Sequence, residues 1–324
     1  MRILVWHVHG SWATAFLQGG HDYLLPVLPD RGPDGLGRAR TWDWPQNVIE
    51  LSPAELRSAD VDVVVLQRPH ELRLAEQWTG RRPGRDVPAI YVEHNTPGGD
   101  VPFTRHPLAD QSEIPVAHVT HFNQLFWDCG SARTEVIEHG VPDPGHLYSG
   151  EWARAAVVVN DPVRRGRAVG TDLLPGLARA APLDVFGMNV HQLSEAVDIP
   201  AERLWTFEDL SQHRLHREMA RRRVYLHTAR WTSLGLSLIE AMHLGMPVVA
   251  LAATEAFAAV PPGAGVVTTR PEEMASALWR FMHDPAEAQA AGARAREAAL
   301  AHYGLGRFLS DWDSLLGASV PALA

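Results

Sequence analysis

The residues with the most chemical potential lie in one stretch, 224–250, which reads as strand, turn, helix and strand. Its helix, Leu236–Leu244, is apolar nearly all round and carries a single carboxylate, Glu240. A buried carboxylate is costly unless paired, so Glu240 requires a partner. Ribose hydroxyls are one candidate and a structural Arg is another. Thr232 or Ser233 is expected to cap the helix, Gly245 to end it in the left-handed conformation, and Pro247 to stop any continuation. At the helix N-terminus, Gly235 leaves room for close approach to Ser233, Leu234 and the first free N–H groups, which suit a diphosphate. The dipole contributes only about 0.3–1 kcal/mol, so Arg side chains must supply much of the attraction. Arg164, Arg165 and Arg167 follow a predicted strand at Ala155–Asn160 and are placed to do so; a solvated basic loop is the other reading of that cluster.

Several patterns point away from other chemistries. His7-x-His9 and His118-x-x-His121 resemble ligand pairs, but no carboxylate cluster accompanies them, and no metal is expected. Asp60-x-Asp62 stands immediately before a buried strand and reads as a solvated strand entry. Gly32, Gly35 and Gly37 do not follow a strand, so they form no dinucleotide fingerprint. Arg221, Arg222 and Arg223 are expected to end a helix, where cations favour the dipole.

Composition narrows the choice further. All 29 basic residues of the 324 are Arg, which excludes Schiff-base lysines, Walker-A loops and the ATP-site lysine of kinases. Any anion clamp must therefore use Arg. Cys129 is the only thiol, so internal disulfides and Cys-rich zinc sites are excluded, and a cytoplasmic location is expected. The formal charge of −9 argues against nucleic acid as a partner. Met1–His7 is too short an apolar run for a signal peptide and reads as a first strand. No stretch approaches the roughly 18 apolar residues of a membrane span, which leaves only peripheral membrane contact open.

These groups must be positioned by alternating strands and helices. In the first half, apolar runs at Ile3–His9, Val61–Gln67, Ala89–His94, Val116–Thr120 and Thr134–Glu138 predict strands. The β-branched run at 61–66 predicts a parallel sheet covered on both faces. After residues 140–145 the pattern restarts, with strands expected at Ala155–Asn160, Leu183–Gly187, Leu204–Phe207, Val224–Thr228, Pro247–Leu251 and Gly265–Val267. Helices are expected at Thr171–Ala181, Leu210–Arg223, Leu236–Leu244, Pro271–His283, Ala286–His302 and Leu305–Leu316. The fold class is α/β: two doubly wound, Rossmann-like domains, 1–147 and 148–303, expected to face a central cleft, with a C-terminal segment 304–324 returning to the first. Residues 29–47, with three Gly, three Pro, Trp42 and Trp44, form a long loop of the kind that is usually a lid or disordered.

The 224–250 stretch resembles the donor-site signature of retaining, GT-B-fold nucleotide-sugar glycosyltransferases, in particular glycosyltransferase family 4 (glycosyl transferases group 1). The match runs through Gly235-Leu236, Glu240-Ala241-Met242 and Gly245-Met246-Pro247-Val248-Val249-Ala250. Thr134–Val141 is similar to the family's domain-junction strand, and Asp184-Val185-Phe186-Gly187 to its second-domain strand ending in Gly. The likeness extends over roughly 134–317. Two departures stand out: Thr232 occupies the position of the family's first Glu, and the family's phosphate-binding Lys is replaced by an Arg or by Val169, depending on alignment.

The resemblance implies a metal-independent hexosyltransferase with no cofactor beyond its cosubstrate, a nucleoside-diphosphate-sugar donor. Gly10, Gly187, Thr232, Ser233, Leu234, Gly235 and one or more of Arg164, Arg165 and Arg167 would hold that donor. Glu240 would bind its ribose, and His94, at the end of Ile90–Glu93, would bind the transferred sugar. A small-molecule or glycan acceptor would lie on the first domain, with Gln67, Arg68, His70 and Asn95 as candidates. Trp12, Trp42 and Trp44 offer either stacking faces for it or buried anchors. Two alternatives remain at this level: a catalytically weak or silent sugar-nucleotide binding protein, suggested by Thr232, and a GT-B nucleotide-sugar epimerase.

Overall fold

Strand formation follows the β-branched runs. In the computed structural model, which describes residues 1–320, Val63–Leu66 is wholly buried and lies mid-sheet, flanked by parallel neighbours. The chain divides into two units. Unit 1 comprises Met1–Pro142 with the helix Leu305–Ser319; unit 2 comprises Asp143–Gly304. Residues 321–324, the end of the expected segment 304–324, lie outside the described residues.

Unit 1 contains seven strands: β1 (Arg2–Val5), β2 (Asp22–Pro26), β3 (Val48–Leu51), β4 (Val63–Leu66), β5 (Ala89–Glu93), β6 (Val116–His118) and β7 (Thr134–Val136). They are all parallel, in the order β3-β2-β1-β4-β5-β6-β7. Unit 2 contains β8 (Trp152–Val158), β9 (Leu183–Gly187), β10 (Leu204–Glu208), β11 (Arg222–His227), β12 (Val248–Leu251) and β13 (Gly265–Thr268), parallel in the order β10-β9-β8-β11-β12-β13. Both are doubly wound sheets whose strand order reverses direction once, between β1 and β4 and between β8 and β11. Among the described residues no helix is long and apolar enough to cross a membrane.

The helices Leu236–Leu244 and Pro271–His283 have the expected limits. The expected helix Thr171–Ala181 is instead a 3-10 turn, Thr171–Leu173, followed by a short helix, Leu174–Ala178, with Pro175 in its first turn. The helix Leu305–Ser319 belongs to unit 1: Trp312 packs 5.7 Å from Trp12 and 5.0 Å from Phe16, ring centroid to centroid. Phe308 lies so close to Gly140 that a Cβ there would stand 2.2 Å from it.

The Arg221–Arg223 run corrects an expectation. The helix Gln212–Ala220 ends before it, and Arg222 and Arg223 open β11. Arg222 is fully buried, donating through Nε to Asp184 Oδ2 (2.6 Å) and through Nη1 to Glu218 Oε2 (2.7 Å). Its guanidinium lies over the rings of Trp152, Phe186 and Phe207 at 4.5–5.1 Å. Asp184, also fully buried, accepts from Arg154 as well. The cation thus serves the core, where its carboxylate partners compensate desolvation. Arg222→Ala strands Asp184 without its main partner and is expected to destabilise unit 2 by about 3–5 kcal/mol, read by denaturant unfolding.

Candidate functional site

In a doubly wound sheet the crevice for a ligand opens at the carboxyl ends of the two strands where the winding reverses. In unit 2 these are β8 and β11, and the loops that leave them are bound side by side. Thr228 Oγ1 donates to the Val169 carbonyl (2.8 Å), and the N–H groups of Arg230 and Trp231 both donate to the Ala168 carbonyl (2.9 and 3.0 Å). Gly170, at φ +78°, makes this contact possible: a Cβ there would stand 2.1 Å from the Thr228 carbonyl oxygen. Gly187 has a similar role at the end of β9, at φ +140° with the Val159 oxygen 2.1 Å from where a Cβ would be.

The three arginines of the first loop are not equivalent. Arg164 pairs with Asp161 (2.6 Å) and Arg167 with Asp172 (2.8 Å). Asp172 also takes both terminal nitrogens of Arg230, at 2.5 and 3.0 Å. Arg165 is exposed and forms no close ion pair with the described residues; partial burial, and then adjacent Arg164, lower its pKa, with the charge of Asp161 acting against them. The Arg230–Asp172 pair went unseen in the sequence, because nothing local joins positions 58 apart.

The helix Leu236–Leu244 begins differently from expectation. Its N-cap residue is Gly235 rather than Thr232 or Ser233. Gly235 is required by His227, whose Cε1 would lie 2.7 Å from a Cβ at that position. Gly245, at φ +88°, ends the helix as expected. Ser233 and Leu234 are buried, and Thr232 is half-buried. Glu240 is buried at 3% exposure; Gln212 Nε2 donates to its Oε1 (3.2 Å), and His216 Nε2 lies 3.4 Å from Oε2. Both partners come from the helix Gln212–Ala220, spaced four residues apart on one face. That spacing was readable, whereas its proximity to Glu240 was not.

In unit 1 the reversal lies between β1 and β4. His94, just beyond β5, is buried with its ring centroid 4.2 Å from His9 and 4.9 Å from Trp12. Asn95 donates its N–H to Glu93 Oε1 (2.7 Å), and its carbonyl accepts from Trp127 Nε1 (2.8 Å). Glu93 is held in turn by buried His106 (3.1 Å), a pairing absent from the sequence reading. Gln67 turns inward, donating to the Trp6 carbonyl (2.7 Å), and at 1% exposure it presents no face to an acceptor. Trp12, also 1% exposed, is a core anchor, and Trp44 is buried with Nε1 on Thr14 (2.9 Å). Gly10 lies under the Trp42 ring, 2.4 Å from where a Cβ would be. Arg68 bonds Glu71 and the Pro33 carbonyl, and both Arg68 and His70 contact Asp34. His7 bonds the Gly37 carbonyl, while His118 lies 3.6 Å from Cys129 Sγ. Among the described residues, no group of three or more His, Cys, Asp or Glu converges as a metal site.

Residues 185–298 match the family model described as Glycosyl transferases group 1. The chain resembles sucrose-phosphate synthase from Thermosynechococcus elongatus with a TM-score of 0.75 at 13% identity, over 98% of each chain. HepE from Anabaena, solved with UDP and glucose, gives 0.68 at 15% identity over 98% of this chain and 100% of that one. AviGT4, a glycosyltransferase involved in avilamycin A biosynthesis, gives 0.58 at 15% over 98% and 97%. The pair of doubly wound units is thus the GT-B fold. A comparison with curated proteins finds no match.

Much of the GT-B framework near these sites is imidazole held neutral. Burial holds His94 well below 6.5, with neighbouring His9 and His139 adding to the effect. Burial likewise takes His9, His118 and His227 down to about 4 and His139 to about 3. A neutral ring both donates and accepts a hydrogen bond, which suits sugar hydroxyls. The folded pKa values lie below the unfolded value of 6.5, so the unfolded chain binds more protons in between. Stability is therefore complete above about pH 6.5 and falls as pH drops through about 4. Denaturant midpoints measured from pH 7.5 to 4.5 are expected to decline steadily; midpoints unchanged over that range would contradict buried neutral rings.

Proposed function

We propose that the chain is a glycosyltransferase that moves a sugar from a nucleoside diphosphate sugar to an acceptor hydroxyl, with the donor held by unit 2. The observation that carries this reading is Arg165, which forms no close ion pair with the described residues, in the segment tied to the one leading into the Leu236–Leu244 helix. There a cation and free helix N–H groups serve one diphosphate. The family match over 185–298 and the UDP bound to the similar HepE support it.

On this reading Arg165 does what the family's Lys does, and it can grip phosphate bidentately. Glu240 binds the ribose diol, with Gln212 Nε2 donating to its Oε1. His94, neutral, hydrogen-bonds the transferred sugar. The reaction is retaining and needs no metal: the anomeric C–O bond to the diphosphate breaks, the acceptor oxygen bonds to the same face, and the departing phosphate oxygen takes the acceptor proton. The backbone at Ser233–Gly235 and Arg165 stabilise the charge that develops on the leaving group. A second reading, a silent sugar-nucleotide binding protein, is favoured by Thr232 and by the protein partners already on Glu240.

Titration with nucleoside diphosphates, followed by assay for slow donor hydrolysis, separates the two, since binding without any turnover supports the second. Losing a charge-assisted hydrogen bond removes about 1.5–3 kcal/mol, or roughly 10- to 100-fold in Kd. Arg165→Gln is expected to weaken UDP binding by that factor, whereas Arg164→Gln, already paired to Asp161, changes it less than about threefold. An Arg165→Gln Kd within twofold of the parent overturns the donor assignment. Glu240→Ala is expected to weaken UDP by about tenfold and to leave inorganic pyrophosphate binding unchanged, because pyrophosphate lacks the ribose.

A further inference from the structure

The loop between β2 and β3 lies on the carboxyl ends of β1 and β4, with Gly35, Gly37 and Trp44 buried and the rest of its length partly or fully exposed. His7 Nδ1 bonds the Gly37 carbonyl (3.0 Å), Trp42 rests on Gly10, and Arg68 Nη1 donates to the Pro33 carbonyl (3.1 Å). One oxygen, Asp34 Oδ1, lies between two donors of the β4 edge, 3.2 Å from Arg68 Nη1 and 2.8 Å from His70 Nε2. The Asp34 side chain is 38% exposed, so it meets this pair at the surface of the crevice. Arg68 Nη2 is buried there with no hydrogen-bond partner. A guanidinium nitrogen withdrawn from water and left without an acceptor is costly. A single carboxylate oxygen shared between Nη1 and Nε2 does not relieve it.

We infer that Arg68 and His70 form an oxyanion subsite of unit 1, filled in this structure by the chain's own Asp34, and that its external ligand is a phosphate or carboxylate group. A tetrahedral or planar oxyanion brings two or more oxygens, one for the position of Asp34 Oδ1 and another for Arg68 Nη2. Glu71 keeps Arg68 oriented through Nε (2.7 Å), so the guanidinium stays in place when Asp34 leaves. The ligand is an acidic acceptor, and that identification rests on the transferase reading; the subsite itself does not.

The test uses the full chain. Inorganic phosphate and, separately, acetate are titrated against chloride at matched ionic strength, following the His70 ring resonances in the parent, Asp34→Asn and Arg68→Gln, with UDP titrated in parallel. Phosphate is expected to move the His70 resonances of the parent, to bind Asp34→Asn at least tenfold more tightly, and to lose that site in Arg68→Gln. A response to phosphate alone assigns a phosphorylated ligand, and an equal response to acetate a carboxylate. Equal phosphate affinity in the parent and Asp34→Asn, or an unaltered response in Arg68→Gln, overturns the subsite. Unfolding midpoints identify a variant that fails to fold, in which case Asp34→Ser and the titration of the parent decide. Phosphate binding as expected with no UDP binding overturns the transferase reading and leaves the subsite standing.

Discussion

A sheet of parallel strands covered by crossover helices on both faces has one place to admit a ligand: the carboxyl edge where the winding reverses. Both units have such an edge, and in each the candidate residues lie at or beside it. In unit 2 the loops after β8 and β11 are joined by hydrogen bonds from residues 228–231 to 168 and 169, which fixes the floor of the crevice. In unit 1 the corresponding edge gathers His7, Gly10, Gln67, Arg68 and, beyond β5, His94.

Charge at the unit 2 edge is arranged by local pairing. Asp161 and Asp172 between them form close ion pairs with Arg164, Arg167 and Arg230, whereas Arg165 feels Asp161 only at longer range. Glu240 shows the converse. Ser237 and His243 flank it one turn away in its own helix, and Gln212 donates to it from the next helix, so the carboxylate is held before any ligand arrives. A group oriented in advance loses less freedom on binding, which is where pre-organisation adds affinity.

What could be read from the sequence follows from how local each signal is. The helices Leu236–Leu244 and Pro271–His283 were legible to the residue, because Gly245, Pro247 and Pro271 mark their ends in the chain itself. Strands β4, β5 and β9 were legible as β-branched or aromatic runs. β2 and β3 were not: Asp22–Pro26 ends in Pro, and Val48–Leu51 is a half-exposed edge strand whose Glu50 turns to Arg31. Three consecutive arginines resemble a helix C-terminus, and only Asp184, 38 positions away, makes Arg222 a core residue. The same limit applies at the candidate sites. Arg165 could be named but not distinguished from its neighbours, since the carboxylates that engage Arg164 and Arg167 were not assigned to them. Gln67 and Trp12 had suitable types at suitable strand ends, but burial turned them into the core.

The two edges consequently treat a ligand differently. On the proposed reading, a diphosphate meeting Arg165 breaks no close ion pair among the described residues. An oxyanion meeting Arg68 and His70 must displace Asp34, which is tethered within the same chain and held near by Arg31 on Glu50 and by Arg38 on the Trp44, Pro45 and Val48 carbonyls. An intramolecular competitor acts as a high local concentration, so the apparent affinity of the external ligand is its intrinsic affinity reduced by the fraction of chains with the subsite vacated. Weak anions at ordinary concentration are thereby rejected. A ligand that gains further contacts along the crevice overcomes the competition, so selectivity at this edge is set by the whole ligand rather than by its charge alone.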